Sequence, residues 1–167
     1  ILGPHVDVIL IETISSLGLA EGALIGAKGA GRPVWLSVSV DDRDGSKLRS
    51  GEPVEGLRAL LAAHPAAAVL ANCSVPEAME AAMAVLSTLG LPFGAYANGF
   101  SEITPHSHGT SAPDYGARHD RSPERYADFA LGWVAQGATL SGGCCEVGPA
   151  HIRHLHARLT AEGYRIA

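Results

Sequence analysis

A parallel α/β fold is predicted by three features of the sequence. Five short runs of strand length recur along it, a helix-compatible stretch follows each, and the runs are apolar almost throughout rather than alternating. Near-continuous apolarity is what strands need when helices cover the sheet. The first run is "VDVILIE" (6–12), which leads into a helix over 15–29. "PVWLSVSV" (33–40) precedes a helix over 54–64, and "AAVLANC" (67–73) one over 75–89. "PFGAYAN" (92–98) is followed by a helix over 122–136. "ATLSGG" (138–143) leads into a last helix from Pro149 to Glu162, where proline suits the first turn. Gly90, Gly137 and Gly163 stand where helices stop.

Doubly wound sheets and barrels share this alternation. Strands beginning at 6, 33, 67, 92 and 138 repeat on average about every 33 residues, a plausible unit length for a (β/α)8 TIM barrel. Five units cannot close one, and three more would add roughly 100 residues to approach the ~250 of that fold. The expectation is therefore units four to eight, with 1–167 the C-terminal part of a single barrel domain. Long loops follow two strands, at 41–53 and 99–120, on the edge where parallel α/β proteins build their chemistry.

Composition narrows the partner. The chain is 47% hydrophobic and 17% charged with a net charge of -5, enough apolar material for a core. Without a run of Lys or Arg it carries no footprint for nucleic acid or an anionic membrane, so a small molecule is expected. Apolar runs are short and broken by Gly and Pro, and no transmembrane helix or signal peptide is visible. Three cysteines, Cys73, Cys144 and Cys145, are too few for a secreted disulfide framework and fit a reducing, cytoplasmic setting.

All three cysteines sit at strand ends. Adjacent cysteines make a strained disulfide, so a redox pair is a poor reading of "SGGCCEVGP" (141–149); core packing is another reading, and a metal site a third. Three protein ligands with a fourth position open is the pattern of a catalytic zinc site, and Gly142 and Gly143 would let the backbone bend so that both sulfurs face one ion. A rival metal site could use His106 and His108 of "HSHG" with His119. His151, His154 and His156 on the last helix read as solvated surface.

Taken together, "LIET" (10–13), "PVWLSVSV" with "LRSGEP" (48–53), "ANCS" (71–74), "YANG" (96–99) and "SGGCCEVGPAHI" (141–152) resemble the homocysteine S-methyltransferases over all 167 residues. That family includes betaine-, S-methylmethionine- and methylcobalamin-linked enzymes. The resemblance implies a (β/α)8 barrel, Zn2+ held by Cys73, Cys144 and Cys145, and Glu12 in the pocket that receives the amino acid. It also implies methyl transfer from a small donor to the thiol of homocysteine, forming methionine. Zinc would deprotonate that thiol at neutral pH, and the donor would carry its methyl on a good leaving group. A non-catalytic zinc- or thiol-binding domain on the same scaffold is the alternative.

Within that frame Glu12 is expected to accept the ammonium of homocysteine, the other reading being a local hydrogen bond to the next helix beside Thr13 and Ser15. Asn72 and Asn98 are further strand-end polar residues of the substrate pocket, acting behind the ligands or in turns. Tyr96 and Tyr115 could contact a cationic methyl donor, while Trp35 and Trp133 are expected in the core.

Overall fold

The structure is a computed structural model that describes residues 3–101, 118 and 120–166. Its elements run β1 (Ile9–Ile14), α1 (Leu17–Ala27), β2 (Val34–Val38), α2 (Leu57–Ala63), β3 (Ala68–Asn72), α3 (Pro76–Leu86), β4 (Phe93–Tyr96), α4 (Pro123–Ala135), β5 (Leu140–Ser141) and α5 (Pro149–Ala161). Short 3-10 turns precede α2 and follow α3. All ten expected strands and helices are present, nine of them trimmed at their ends by the usual loss of pairing there.

Strand order decides between the two parallel architectures. The sheet runs β1-β2-β3-β4-β5, every neighbour parallel and consecutive in sequence. A doubly wound sheet reverses direction at a switch point, and here there is none. Right-handed crossovers that always step the same way put every helix on one face, as in a barrel wall.

That face carries the core. Leu36, Val38, Val69 and Ala71 of the sheet pack with Leu24, Leu57, Met79, Met83, Tyr126 and Trp133 of the helices. Trp35 departs from expectation. It falls on the opposite face from Leu36 and is only partly buried, because strand alternation sends adjacent side chains to opposite sides.

The first strand also differs, lying at 9–14 rather than 6–12. Its pairing with β2 runs Ile9↔Val34, Leu10↔Trp35 and Ile11↔Leu36, then jumps to Ile14↔Val38. Glu12 and Thr13 therefore sit in an irregularity at the strand's C-terminal end, both exposed, with Thr13 at φ 61°. Such irregularities re-aim a side chain. Next, Ser16 caps α1 by accepting from Leu19 N–H, and the Glu52 carboxylate accepts from Leu17 N–H at 3.0 Å. The helix start is thus satisfied without Glu12.

Candidate active site

The three cysteines come together because β4 lies between the strands that carry them. Cys73 N–H donates to the Tyr96 carbonyl at 3.3 Å, and Asn98 N–H to the Ser74 carbonyl at 3.0 Å. On the other side, Gly142 N–H donates to the Ala95 carbonyl, Cys144 N–H to that of Ala97, and Gly99 N–H to that of Cys145. Every one of these bonds uses main-chain atoms. Both cysteine turns are therefore placed by the backbone of residues 95–99.

Close approach on the β5 side depends on small residues. Gly143 is needed for space rather than for bending: a Cβ there would lie 2.2 Å from Val147 Cγ1, and its φ is not left-handed. The bend occurs three residues later, in a turn closed by Val147 N–H to the Cys144 carbonyl at 3.1 Å with Glu146 at φ 63°. Gly99 of "YANG" makes room for that turn, since a Cβ on it would meet Glu146 Cβ at 2.9 Å.

The result is three Sγ atoms all within 4.8 Å of one another, with Cys73 and Cys144 partly buried and Cys145 exposed. Cys144 and Cys145 Sγ are 3.9 Å apart, close to the roughly 3.8 Å that separates two thiolates on a tetrahedral zinc with ~2.3 Å bonds. The donor set fits a thiophilic ion. Among the described residues this is the one such group of three or more. A hydrogen bond from Cys144 pulls the Cys73 thiol below its usual range, and donating that bond, together with burial, pushes the Cys144 thiol up. Burial and the neighbouring Cys144 push Cys145 up as well. Sulfurs this crowded accommodate their negative charge poorly without a cation among them.

Cys73 itself is left-handed, at φ 52°. Its carbonyl accepts from Arg49 Nη2 at 2.8 Å, and the same nitrogen reaches Ser74 Oγ at 3.2 Å. Asp42, nearly buried, lies 3.8 Å from Arg49 and accepts from Val75 N–H at 2.8 Å, at the start of α3. The loop after β2 thus grips the turn after β3. "LRSGEP" has a structural content that sequence reasoning missed: Arg49 holds the Cys73 turn and Glu52 starts α1.

Across the open face, Tyr96 OH donates to Glu12 Oε2 at 3.1 Å. Burial, reinforced by the Glu12 charge, raises the Tyr96 hydroxyl above its usual range and keeps its proton in place to donate. Asn72 and Asn98 are fully buried. The amide of Asn72 is engaged by Thr13 and Ser37; Asn98 Oδ1 accepts from Phe100 N–H at 3.1 Å, an Asx turn, while its Nδ2 has no partner among the described residues.

The model of the homocysteine S-methyltransferase family matches residues 1–159. This chain belongs to that family. It is 32% identical over 162 residues to the homocysteine S-methyltransferase of Escherichia coli K12, covering 95% of this chain and 49% of that protein. To a selenocysteine Se-methyltransferase of Brassica oleracea var. italica it is 26% identical, covering 93% and 44%. Among solved structures, the apo form of the homocysteine methyltransferase MmuM from Escherichia coli superimposes with a TM-score of 0.69 at 29% identity, covering 94% of this chain and 51% of that one. The metallated form of the same protein gives 0.71, covering 94% and 46%. The chain thus spans about half the length of the relatives it matches.

In this family member two further residues secure the double cysteine. Tyr126, fully buried on α4, donates to the Gly142 carbonyl at 2.7 Å, with the Ala97 carbonyl at 3.3 Å alongside. Its spacing from Ala130 and Trp133 on an apolar helix face marks it as core, and nothing in that pattern reveals the hydroxyl's partner. His151 is no solvated surface residue. Its Nδ1 accepts from Gly148 N–H at 3.1 Å, so the proton lies on Nε2 and is donated to the Arg121 carbonyl at 2.8 Å. This closes the start of α5, where Gly148 has no side chain to cap with. His106, His108, His119 and Tyr115 lie outside the described residues. None of the helices described is long and apolar enough to cross a membrane.

Proposed function

We propose that residues 1–167 form the C-terminal part of a single homocysteine-binding (β/α)8 barrel domain. We further propose that the full-length protein transfers a methyl group from a small donor to the thiol of homocysteine, forming methionine. The observation that carries this reading is the trio of sulfurs beside the Glu12–Tyr96 pair, a soft metal site and a carboxylate on one open sheet edge. Family membership supports the reaction class. A cytoplasmic, reducing setting would keep the three thiols free for metal.

Cys73, Cys144 and Cys145 would hold Zn2+, which when bound supplies a deprotonated, nucleophilic acceptor sulfur at neutral pH. Glu12 accepts the substrate ammonium, and Tyr96, donating to one carboxylate oxygen, fixes its orientation and leaves the other oxygen for the ligand. Asn72 and Asn98, buried behind the surface, hold the turns of the pocket. As the methyl carbon bonds to the acceptor sulfur its bond to the donor breaks, and the donor departs with that electron pair. The chain need supply no general base to the methyl carbon.

Purified full-length protein loaded with zinc, given homocysteine and a panel of sulfonium and quaternary ammonium donors, should yield methionine by mass spectrometry. Bound zinc with no methionine from any donor would favour a non-catalytic zinc- or thiol-binding domain instead.

Two variants separate the halves of the site. Glu12→Gln keeps shape and metal but removes the charge facing the ammonium. Homocysteine affinity is expected to fall about tenfold or more while zinc stays near one per chain, as read by calorimetry and atomic absorption. Arg49→Met removes the donor to the Cys73 carbonyl and touches no sulfur. Zinc affinity, measured by competition with a chromophoric chelator, is expected to drop roughly 10- to 100-fold, with Arg49→Lys intermediate. Unchanged affinity in Arg49→Met would remove that residue from the account.

A further inference from the structure

Thr13 is the least expected residue at the site. A β-branched side chain at φ 61° is strained by about 1–3 kcal/mol, and such strain persists where the surroundings over-determine it. Ile14 after it rejoins the sheet beside Val38, with its carbonyl accepting from Ser39 N–H, and the polar groups of Thr13 itself are held by one side chain, 59 residues away. Asn72 Oδ1 accepts from Thr13 N–H at 3.0 Å, and Asn72 Nδ2 donates to Thr13 Oγ1 at 2.9 Å. Ser37 Oγ donates to the same Oδ1 at 2.8 Å. The amide orientation follows from its partners, because a flipped amide would set NH2 against Thr13 N–H.

Asn72 is fully buried, so its side chain does not reach a ligand in the open site. Two chain neighbours of the network do matter there. Glu12 directly precedes the clamped Thr13, and Cys73 directly follows Asn72. Released from the clamp, the end of β1 would relax toward extended backbone. A change of one step in strand alternation moves a side chain to the other face, which would carry Glu12 away from Tyr96.

We propose that Asn72 is a positioning residue: by clamping Thr13 in the left-handed conformation it aims the Glu12 carboxylate at the acceptor amino group, in register with the thiol cluster. This rests on the reading of Glu12 as the ammonium acceptor. The metal turn has its own supports, the Arg49 bond to the Cys73 carbonyl and the Cys73 N–H bond to Tyr96. Loss of the clamp should therefore strike substrate binding before metal binding.

The test uses zinc-loaded full-length protein and homocysteine affinity by calorimetry, with zinc content and thermal unfolding measured in parallel. Asn72→Ala is expected to weaken homocysteine binding about tenfold with zinc near one per chain. Thr13→Val, which keeps the shape but loses the Oγ1 acceptor, should weaken binding several-fold and leaves the proposal testable if Asn72→Ala folds poorly. Thr13→Gly adopts the left-handed turn without strain, so in the Thr13→Gly background Asn72→Ala should cost markedly less affinity than in wild type. A purely structural Asn72 would lower the unfolding temperature without this rescue, and that result overturns the proposal. If Glu12→Gln weakens binding but Asn72→Ala and Thr13→Val do not, the clamp is wrong and the Glu12 reading stands. If Glu12→Gln has no effect, or wild type binds no homocysteine, the Glu12 reading fails and the clamp's proposed purpose fails with it.

Discussion

Cys145→Ala, in the full-length protein, is expected to abolish stoichiometric zinc and reduce methyl transfer by at least about a hundredfold, beyond what loss of an outer partner causes. The three sulfurs lie within 4.8 Å of one another; three thiolates on a tetrahedral ion would leave its fourth position to one external ligand, so each would carry a comparable share of the ion. Cys73→Ala and Cys144→Ala should behave alike, although Cys145 is exposed and the other two are partly buried. Burial alone would instead predict a ranking, with the exposed cysteine mattering least. Zinc by atomic absorption and methionine by mass spectrometry should fall together in all three variants. If Cys145→Ala kept both, the three-thiolate site would be wrong.

Gly94→Ala should damage the same site from 50 residues away in sequence, without touching a sulfur. Gly94 pairs with Leu140, and a Cβ on it would lie 1.8 Å from the Leu140 carbonyl oxygen and 2.6 Å from its carbon. Both are main-chain atoms of β5 and cannot rotate aside. The strand must shift, and it carries Ser141 to Cys145 with it. Overpacking of this kind costs about 1–3 kcal/mol or more, so urea denaturation should show a lower midpoint. Zinc affinity should fall too, because Cys144 and Cys145 move relative to Cys73. A variant with lower stability but unaltered zinc affinity would mean that the loop after β5 absorbs the shift.

Much of this architecture is written in local pattern. The runs around Val34–Val38 and Ala68–Asn72 are apolar on both faces, and the glycines at 90 and 137 do occupy left-handed positions where helices end. Three cysteines at two strand ends marked the site because few residue types offer a soft ligand. Long-range detail left no such trace. Whether Gly143 serves bending or space depends on where Val147 sits, and the role of Arg49 depends on a carbonyl 24 residues away. The resemblance placed Glu12 in the pocket, but the Thr13 irregularity beside it is tied to Asn72, which no periodicity connects to β1. Partners fixed by tertiary contact are invisible to a pattern that reads a few residues at a time.

The main-chain stitching of β4 to both cysteine turns has a bearing on how this scaffold can be engineered. Because residues 95–99 locate the sulfurs through N–H and C=O groups, a library that varies side-chain chemistry at 95–98, within the small volumes of Ala95 and Ala97 and with Gly99 kept to leave space for the Glu146 turn, should leave ligand spacing intact. Proline is the exception, since at 98 or 99 it would delete a donor that holds one turn. Ligand identity and ligand placement are then separable variables. A designer seeking a different ion could exchange the cysteines while the strand between them keeps the distances.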